Sequence, residues 1–223
     1  MKIVGYILAV AGSAVLIFAS YKKLIPISLS EAIGFVSGAL CVWLTVKENI
    51  WNWPVGIVNN IAFAILFFKT ALFADMGLQI IYLGLGIYGW YQWLYGGKSR
   101  SPLTISAIKP VQAIVLTVLT VLSTAILTKY LVSVHDSAPL WDALTTVMSL
   151  VAQYLLTKKI LENWFVWISA DVVYIALYLY KELSLTAILY FIFMVMCVIG
   201  VKEWRATLLR LSSRVSSQQE LPA

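Results

Sequence analysis

The chain has 223 residues, of which 61% are hydrophobic, 13% aromatic and only 12% charged, with a mean hydropathy of +0.90. Soluble domains are about 45–50% apolar and about 25% charged, so these residues cannot supply a polar coat. A soluble enzyme, a nucleic-acid-binding domain and a disordered chain are excluded, and the formal net charge of +6 sits in short loops between apolar stretches.

Apolar stretches of about 18 or more residues, long enough to cross a bilayer as helices, recur down the sequence. The pattern predicts an all-α polytopic membrane protein with eight transmembrane helices, at 3–20, 31–46, 51–69, 73–94, 111–131, 139–157, 163–180 and 184–201. Between them fall charged and turn-forming residues: Lys22-Lys23 with Pro26, Lys47-Glu48-Asn49, Lys69-Thr70, and Gly96 to Pro102. Later breaks fall at His135-Asp136 with Pro139, Lys158-Lys159 and Lys181-Glu182. The first stretch is open to a second reading as a signal peptide. Against that, cleavage after Ser20 would put bulky Phe18 at the minus-three position, where a small residue is wanted.

Orientation follows from the basic residues. The side holding both termini carries Lys2, Lys47, Lys98, Arg100, Lys109, Lys158, Lys159, Lys202, Arg205, Arg210 and Arg214. The opposite side has only Lys22, Lys23, Lys69, Lys129 and Lys181, which places both termini in the cytoplasm. Residues 205–223 read as a polar, frayed cytoplasmic tail with arginines against anionic headgroups.

Shifting the sequence by 111 residues aligns Asn52-Trp53 with Asn163-Trp164 without a gap. The same shift pairs Lys47 with Lys158, Val55 with Val166, Ile57 with Ile168, Leu72 with Leu183, Gly89 with Gly200 and Trp93 with Trp204. Four helices separate the copies, so both point the same way through the membrane, as in carriers built from parallel repeats. The expected organisation is a 3+1+3 arrangement in one membrane domain. An extra N-terminal helix (1–22) precedes a first three-helix repeat (31–94), a linker helix (111–131) and a second three-helix repeat (139–201). Chance coincidence of aromatic belts at helix ends is the competing reading.

Polar residues inside spans carry the chemical information. Asp171 lies midway along the seventh span, where an Asp costs about 2.5–3.5 kcal/mol on insertion scales. At 100° per residue, Trp164, Trp167, Asp171, Tyr174 and Tyr178 fall within a stripe roughly 80° wide. Rings around a carboxylate suit a flat cation, by stacking, cation–π attraction and charge neutralisation. Asp171 could instead tie helices together, and Trp164 could belong to the interfacial belt. The sixth span has a polar face of Asp142, Thr145, Thr146, Ser149 and Gln153, which should turn to a pore or another helix. In the first half, Asn60 takes the position equivalent to Asp171, with Asn59 beside it, and Gln79, Tyr82, Trp90 and Trp93 share a face of the fourth span. The candidate substrate-binding set is Trp164, Trp167, Asp171, Tyr174, Gln153, Ser149, Asn60, Gln79 and Trp90.

No metal, cofactor or catalytic constellation is expected. Cys41 and Cys197 lie in apolar runs and read as small buried residues, and the single His135 sits in a polar loop. Asp75, Asp142 and Asp171 are scattered over different helices, unlike the clustered ligands of a membrane-embedded enzyme. A channel or proton-coupled carrier, with Asp171 as the titrating group, stays open. So does the oligomeric state, a homo-oligomer included.

Several blocks resemble the Pnu-type vitamin transporter family. In the first half they are Trp51-Asn52-Trp53-Pro54-Val55-Gly56-Ile57, Leu72-Phe73-Ala74-Asp75-Met76-Gly77-Leu78-Gln79 and Tyr88-Gly89-Trp90-Tyr91-Gln92-Trp93. In the second they are Ser149-Leu150-Val151-Ala152-Gln153, Glu162-Asn163-Trp164-Phe165-Val166-Trp167, Thr186-Ala187-Ile188-Leu189-Tyr190 and Gly200-Val201-Lys202-Glu203-Trp204. The resemblance covers about residues 30–205. It implies a SWEET-like 3+1+3 helix arrangement in the inner membrane and facilitated diffusion of an unphosphorylated vitamin, nicotinamide riboside first. A cytoplasmic kinase would be the functional partner that traps the solute. It also implies that Trp164 and Trp167 stack on the ligand. Asp171 departs from the family pattern, in which Asn is frequent there, so thiamine, riboflavin and deoxynucleosides remain open as substrates.

Overall fold

The computed structural model describes residues 2–25, 29–69, 73–180, 182 and 184–219. Eight α-helices are found among them: α1 (Lys2–Tyr21), α2 (Leu29–Val46), α3 (Asn52–Lys69), α4 (Phe73–Tyr95), α5 (Pro110–Ser133), α6 (Pro139–Thr157), α7 (Asn163–Tyr180) and α8 (Ser184–Gln219). The all-helical class is as expected. The breaks at Pro26, Thr70 and Lys181, the Leu72–Leu183 pairing and the side chains of Lys2, Glu31, Asp75 and Arg214 lie outside the described residues.

Helix ends follow from local chemistry. Proline occupies the first turn of α5 and α6, where its missing N–H has no intrahelical partner to lose. At the other ends, Lys23, Glu48, His135 and Lys159 take left-handed backbone angles (φ 51–59°) and close their helices with wrap-around hydrogen bonds. The turns after α2 and α6 share their two closing bonds. Asn49 N–H donates to Leu44 and Ile160 N–H to Leu155, while Glu48 N–H donates to Thr45 and Lys159 N–H to Leu156. Residues in corresponding bonds are 111 apart.

The packing repeats in the same way. α2 packs on α3 as α6 does on α7, α3 on α4 as α7 on α8, and α1 on α2 as α5 on α6. Crosswise, α2 packs on α8 and α4 on α6. The outside is apolar, with Val111, Ile114 and Ile126 of α5 at 73%, 65% and 70% exposure, a surface suited to hydrocarbon. Among the described residues, α5, α7 and Thr186–Ser213 of α8 are long and apolar enough to cross a membrane by composition alone. Helices α3, α4 and α6 carry inward amides, hydroxyls and aromatic groups, which lower their mean hydropathy.

Two features differ from the sequence reading. The last helix runs past its expected end at 201, because α8 continues through the polar segment to Gln219. No Gly or Pro interrupts 201–219, and strong helix formers such as Glu203, Ala206, Leu208 and Leu209 carry the helix past the apolar stretch. The segment between α4 and α5 is also more than a polar break. Ile105 is buried, Ser106 N–H donates to Lys159 O, Leu161 N–H donates to Ser106 O, and Ile108 N–H donates to Glu162 Oε2. The alternation of apolar Leu103 and Ile105 with polar neighbours was the available signal for this extended piece.

Candidate functional site

A cavity of about 440 Å³ opens between the helices, within the range of small-molecule sites. All six helices of the two expected repeat units line it. α2 brings Cys41 and Thr45, α3 Asn52, Trp53, Asn59 and Asn60, and α4 Gln79 and Tyr82. α6 adds Ser149 and Gln153, α7 Asn163, Trp164, Trp167, Asp171 and Tyr174, and α8 Tyr190, Phe193 and Cys197. Among the described residues, none from α1 or α5 lines it.

The α7 stripe faces this space because residues three and four apart share one side of a helix. Asp171 is buried, at 4% exposure, and Cys197 Sγ approaches its Oδ2 at 3.8 Å, a weak donor contact. Among the described residues no Lys or Arg forms an ion pair with it. Tyr174 stacks on Tyr178 at a ring-centroid separation of 6.0 Å and packs at a tilt against Tyr190 at 4.5 Å, so this end is walled by phenol rings. The polar face of α6 turns inward. Tyr82 O–H donates to Ser149 Oγ at 2.6 Å, tying α4 to α6, and the Ser149 hydroxyl donates on to Thr146 O.

Eight of the nine residues singled out by sequence line the cavity: Trp164, Trp167, Asp171, Tyr174, Gln153, Ser149, Asn60 and Gln79. Trp90 does not. It is 39% exposed, because the inward face of α4 centres on Tyr82, Gly86, Gly89 and Trp93 and Trp90 sits about 70° from that centre. Trp164 is neither a belt residue nor an open platform. At 2% exposure it lies over Gly200 and edge-on to Trp204, and only part of it borders the cavity. Tyr178 stacks behind Tyr174 rather than lining the space.

Sequence reasoning missed Cys41 and Cys197 as cavity residues, and Asn52, Asn163, Tyr190 and Phe193 as wall. Tyr190, Phe193 and Cys197 are spaced by three and four, a helical stripe that ends in Gly200 and Trp204. Read together with α7, that spacing would have found them.

The cavity has the means to hold a small, flat, polar solute. Rings can stack, amides and hydroxyls can pair with sugar-type oxygens, and one carboxylate can meet a positive charge. Comparisons with known proteins point the same way. Residues 28–206 match the family described as nicotinamide mononucleotide transporter. The nicotinamide riboside transporter PnuC of Escherichia coli K12 is 26% identical over 204 residues, covering 80% of this chain and 85% of that protein. The riboflavin/roseoflavin transporter RibM of Streptomyces davaonensis is 26% identical over 183 residues, covering 78% and 84%. In structure, the chain superposes on the crystal structure of the vitamin B3 transporter PnuC with a TM-score of 0.66 at 21% identity, over 91% of this chain and 92% of that one. With a match over residues 28–206, the chain belongs to the nicotinamide mononucleotide transporter family.

Proposed function

We propose that the chain carries nicotinamide riboside, or a cationic vitamin of similar size, across the inner membrane by facilitated diffusion. The observation that carries this reading is Asp171, a buried carboxylate on the wall of an aromatic-lined cavity with a thiol as its close donor. A pyridinium ring bearing a ribose supplies what that wall lacks: a positive charge, a face to stack and hydroxyls for the amides. The names of the PnuC relatives support it. Trp167, Tyr174, Gln153, Ser149, Asn60 and Gln79 are the further ligand contacts in this reading, and no reaction is catalysed on the solute. A cytoplasmic kinase traps it after release. The similarity to RibM supports a second reading, riboflavin, in which ring stacking dominates and the carboxylate meets no charge.

Tryptophan fluorescence of the purified protein tests this, titrated with nicotinamide riboside, thiamine, riboflavin and thymidine. Saturable quenching by nicotinamide riboside supports the first reading, and quenching by riboflavin alone replaces it with the second. In liposomes the protein should equilibrate its solute without concentrating it, and an uncoupler should leave uptake unchanged. Accumulation driven by an imposed proton or sodium gradient at zero membrane potential, with no kinase present, would refute passive transport.

Both termini lie in the cytoplasm in this reading, as the basic residues argue. A phosphatase fused after Ala223 should therefore be inactive and a cytoplasmic reporter active; the reverse result would invert the topology.

A further inference from the structure

We propose that Trp53, Trp93, Trp164 and Trp204 form the gate at the lysine-rich end of the cavity, held shut in this structure by reciprocal bonds between the two repeat units. The proposal rests on the carrier reading and names the part that must move. All four rings are buried, at 0–3% exposure. Trp53 meets Trp93 edge-on at 5.4 Å and 89°, and Trp164 meets Trp204 edge-on at 5.4 Å and 84°. Those are the same contact 111 residues apart, each inside one unit.

The contacts between units are of a different kind. Trp93 and Trp204 are counterparts under the shift, and their centroids lie 6.1 Å apart. A residue that touches its own counterpart lies on the local two-fold axis relating the units, as in an isologous dimer. Glu48 and Lys159 are also counterparts, and Lys159 Nζ reaches Glu48 Oε2 at 3.1 Å. Between these two axial contacts the bonds are exchanged. Trp93 Nε1–H donates to Leu156 O at 3.0 Å, and Trp204 Nε1–H donates to Thr45 O at 3.1 Å. Thr45 and Leu156 are again 111 apart.

The cavity ends against this cluster, since Trp53 and Trp164 border it while the turns bearing Lys47, Lys158 and Lys159 lie beyond. No solute passes buried, interlocked indoles. Rocking one unit against the other leaves each edge-on pair intact and, at this end, parts the axial contacts, the two exchanged N–H bonds and the Lys47–Glu203 and Lys158–Tyr88 bonds that also join the units. A gate needs that division: rigid halves, and a seam of few, separable bonds.

The native cysteines read the gate directly. Cys41 lines the cavity, so its modification by a charged methanethiosulfonate reagent, quantified by peptide mass spectrometry, reports access from whichever side the reagent is added. In membrane vesicles of both orientations, the double variant Trp93→Phe/Trp204→Phe keeps a smaller aromatic ring at each position and removes both N–H donors. Modification from the lysine-rich side should accelerate about three- to tenfold for each lost bond, with the opposite side unchanged. Trp90→Phe, outside the cavity, should alter neither. Unchanged rates, or equal acceleration from both sides, overturn the gate. Should the double variant fail to reach the membrane, Glu48→Gln weakens the axial ion pair without touching a ring, and unchanged access there overturns the proposal equally. Solute equilibration by the wild type is scored separately. A wild type that moves no solute defeats the carrier reading, whereas intact transport with unchanged access defeats only the gate.

Discussion

Asp171→Asn should weaken nicotinamide riboside or thiamine by about 1.5–3 kcal/mol, the range for a hydrogen bond to a charged group. That is roughly ten- to a hundredfold in affinity. The substitution keeps size and shape on a wall where the side chain is 4% exposed, so the neighbouring Trp167 and Tyr174 rings have no reason to move. What it removes is the charge. Cys197 offers only a 3.8 Å thiol contact, so the carboxylate depends on an arriving cation for full compensation. Riboflavin, which is neutral, should lose little, so the ratio of the two affinities reads the charge apart from the fit. Calorimetry or fluorescence titration on the purified variant measures both. Unchanged affinity for the cations in a variant that melts like the wild type would assign Asp171 a structural role.

The eight helices and the carboxylate were legible in the sequence for one physical reason. In a membrane every backbone polar group is satisfied within its own helix, so apolar length defines the elements and a mid-span charge stands out. Asp171 needed no neighbour to be noticed. The tryptophans were a different matter. Trp164 and Trp53 sit in first helical turns, where an indole ordinarily anchors at the interface, and nothing local distinguishes a belt residue from a buried one. Their burial depends on the partners Gly200 and Gly89, which stand 36 residues on in each copy and matter only once α8 folds back on α7 and α4 on α3. The shift by 111 did pair both glycines and both terminal tryptophans. It could not say that the paired rings touch, because contact across the axis is a property of how the units meet. The same limit applies to Cys197, whose apolar flanks read as core while its place opposite Asp171 is set by the α7–α8 packing.

Those glycines give the second large effect. A Cβ on Gly200 would stand 2.5–2.7 Å from Cε2, Cζ2 and Cδ2 of Trp164, and one on Gly89 would collide with Trp53 in the same manner. Neither ring has room to retreat: Trp164 is braced edge-on by Trp204, Trp53 by Trp93, and the free direction for each is toward the cavity. Gly200→Val should therefore destabilise the protein by about 1–3 kcal/mol, the usual cost of overpacking, and reduce solute affinity as the indole is pushed into the space. Gly89→Val should act in the same direction. Gly84→Val is the matched control, with nothing within 4 Å of the added Cβ, and its effect should stay within about 0.5 kcal/mol. Thermal unfolding in detergent and ligand titration on the same samples separate the two effects. A Gly200→Val protein that melts and binds like the wild type would show that the Trp164 ring is free to move. The double variant adds a sharper reading. Trp53 and Trp164 are linked through the Trp93–Trp204 contact, so the two valines share a strained cluster and their effects should not add. Simple additivity would mean that the two halves of the cluster respond independently, and that displacement of one ring does not cross the axis.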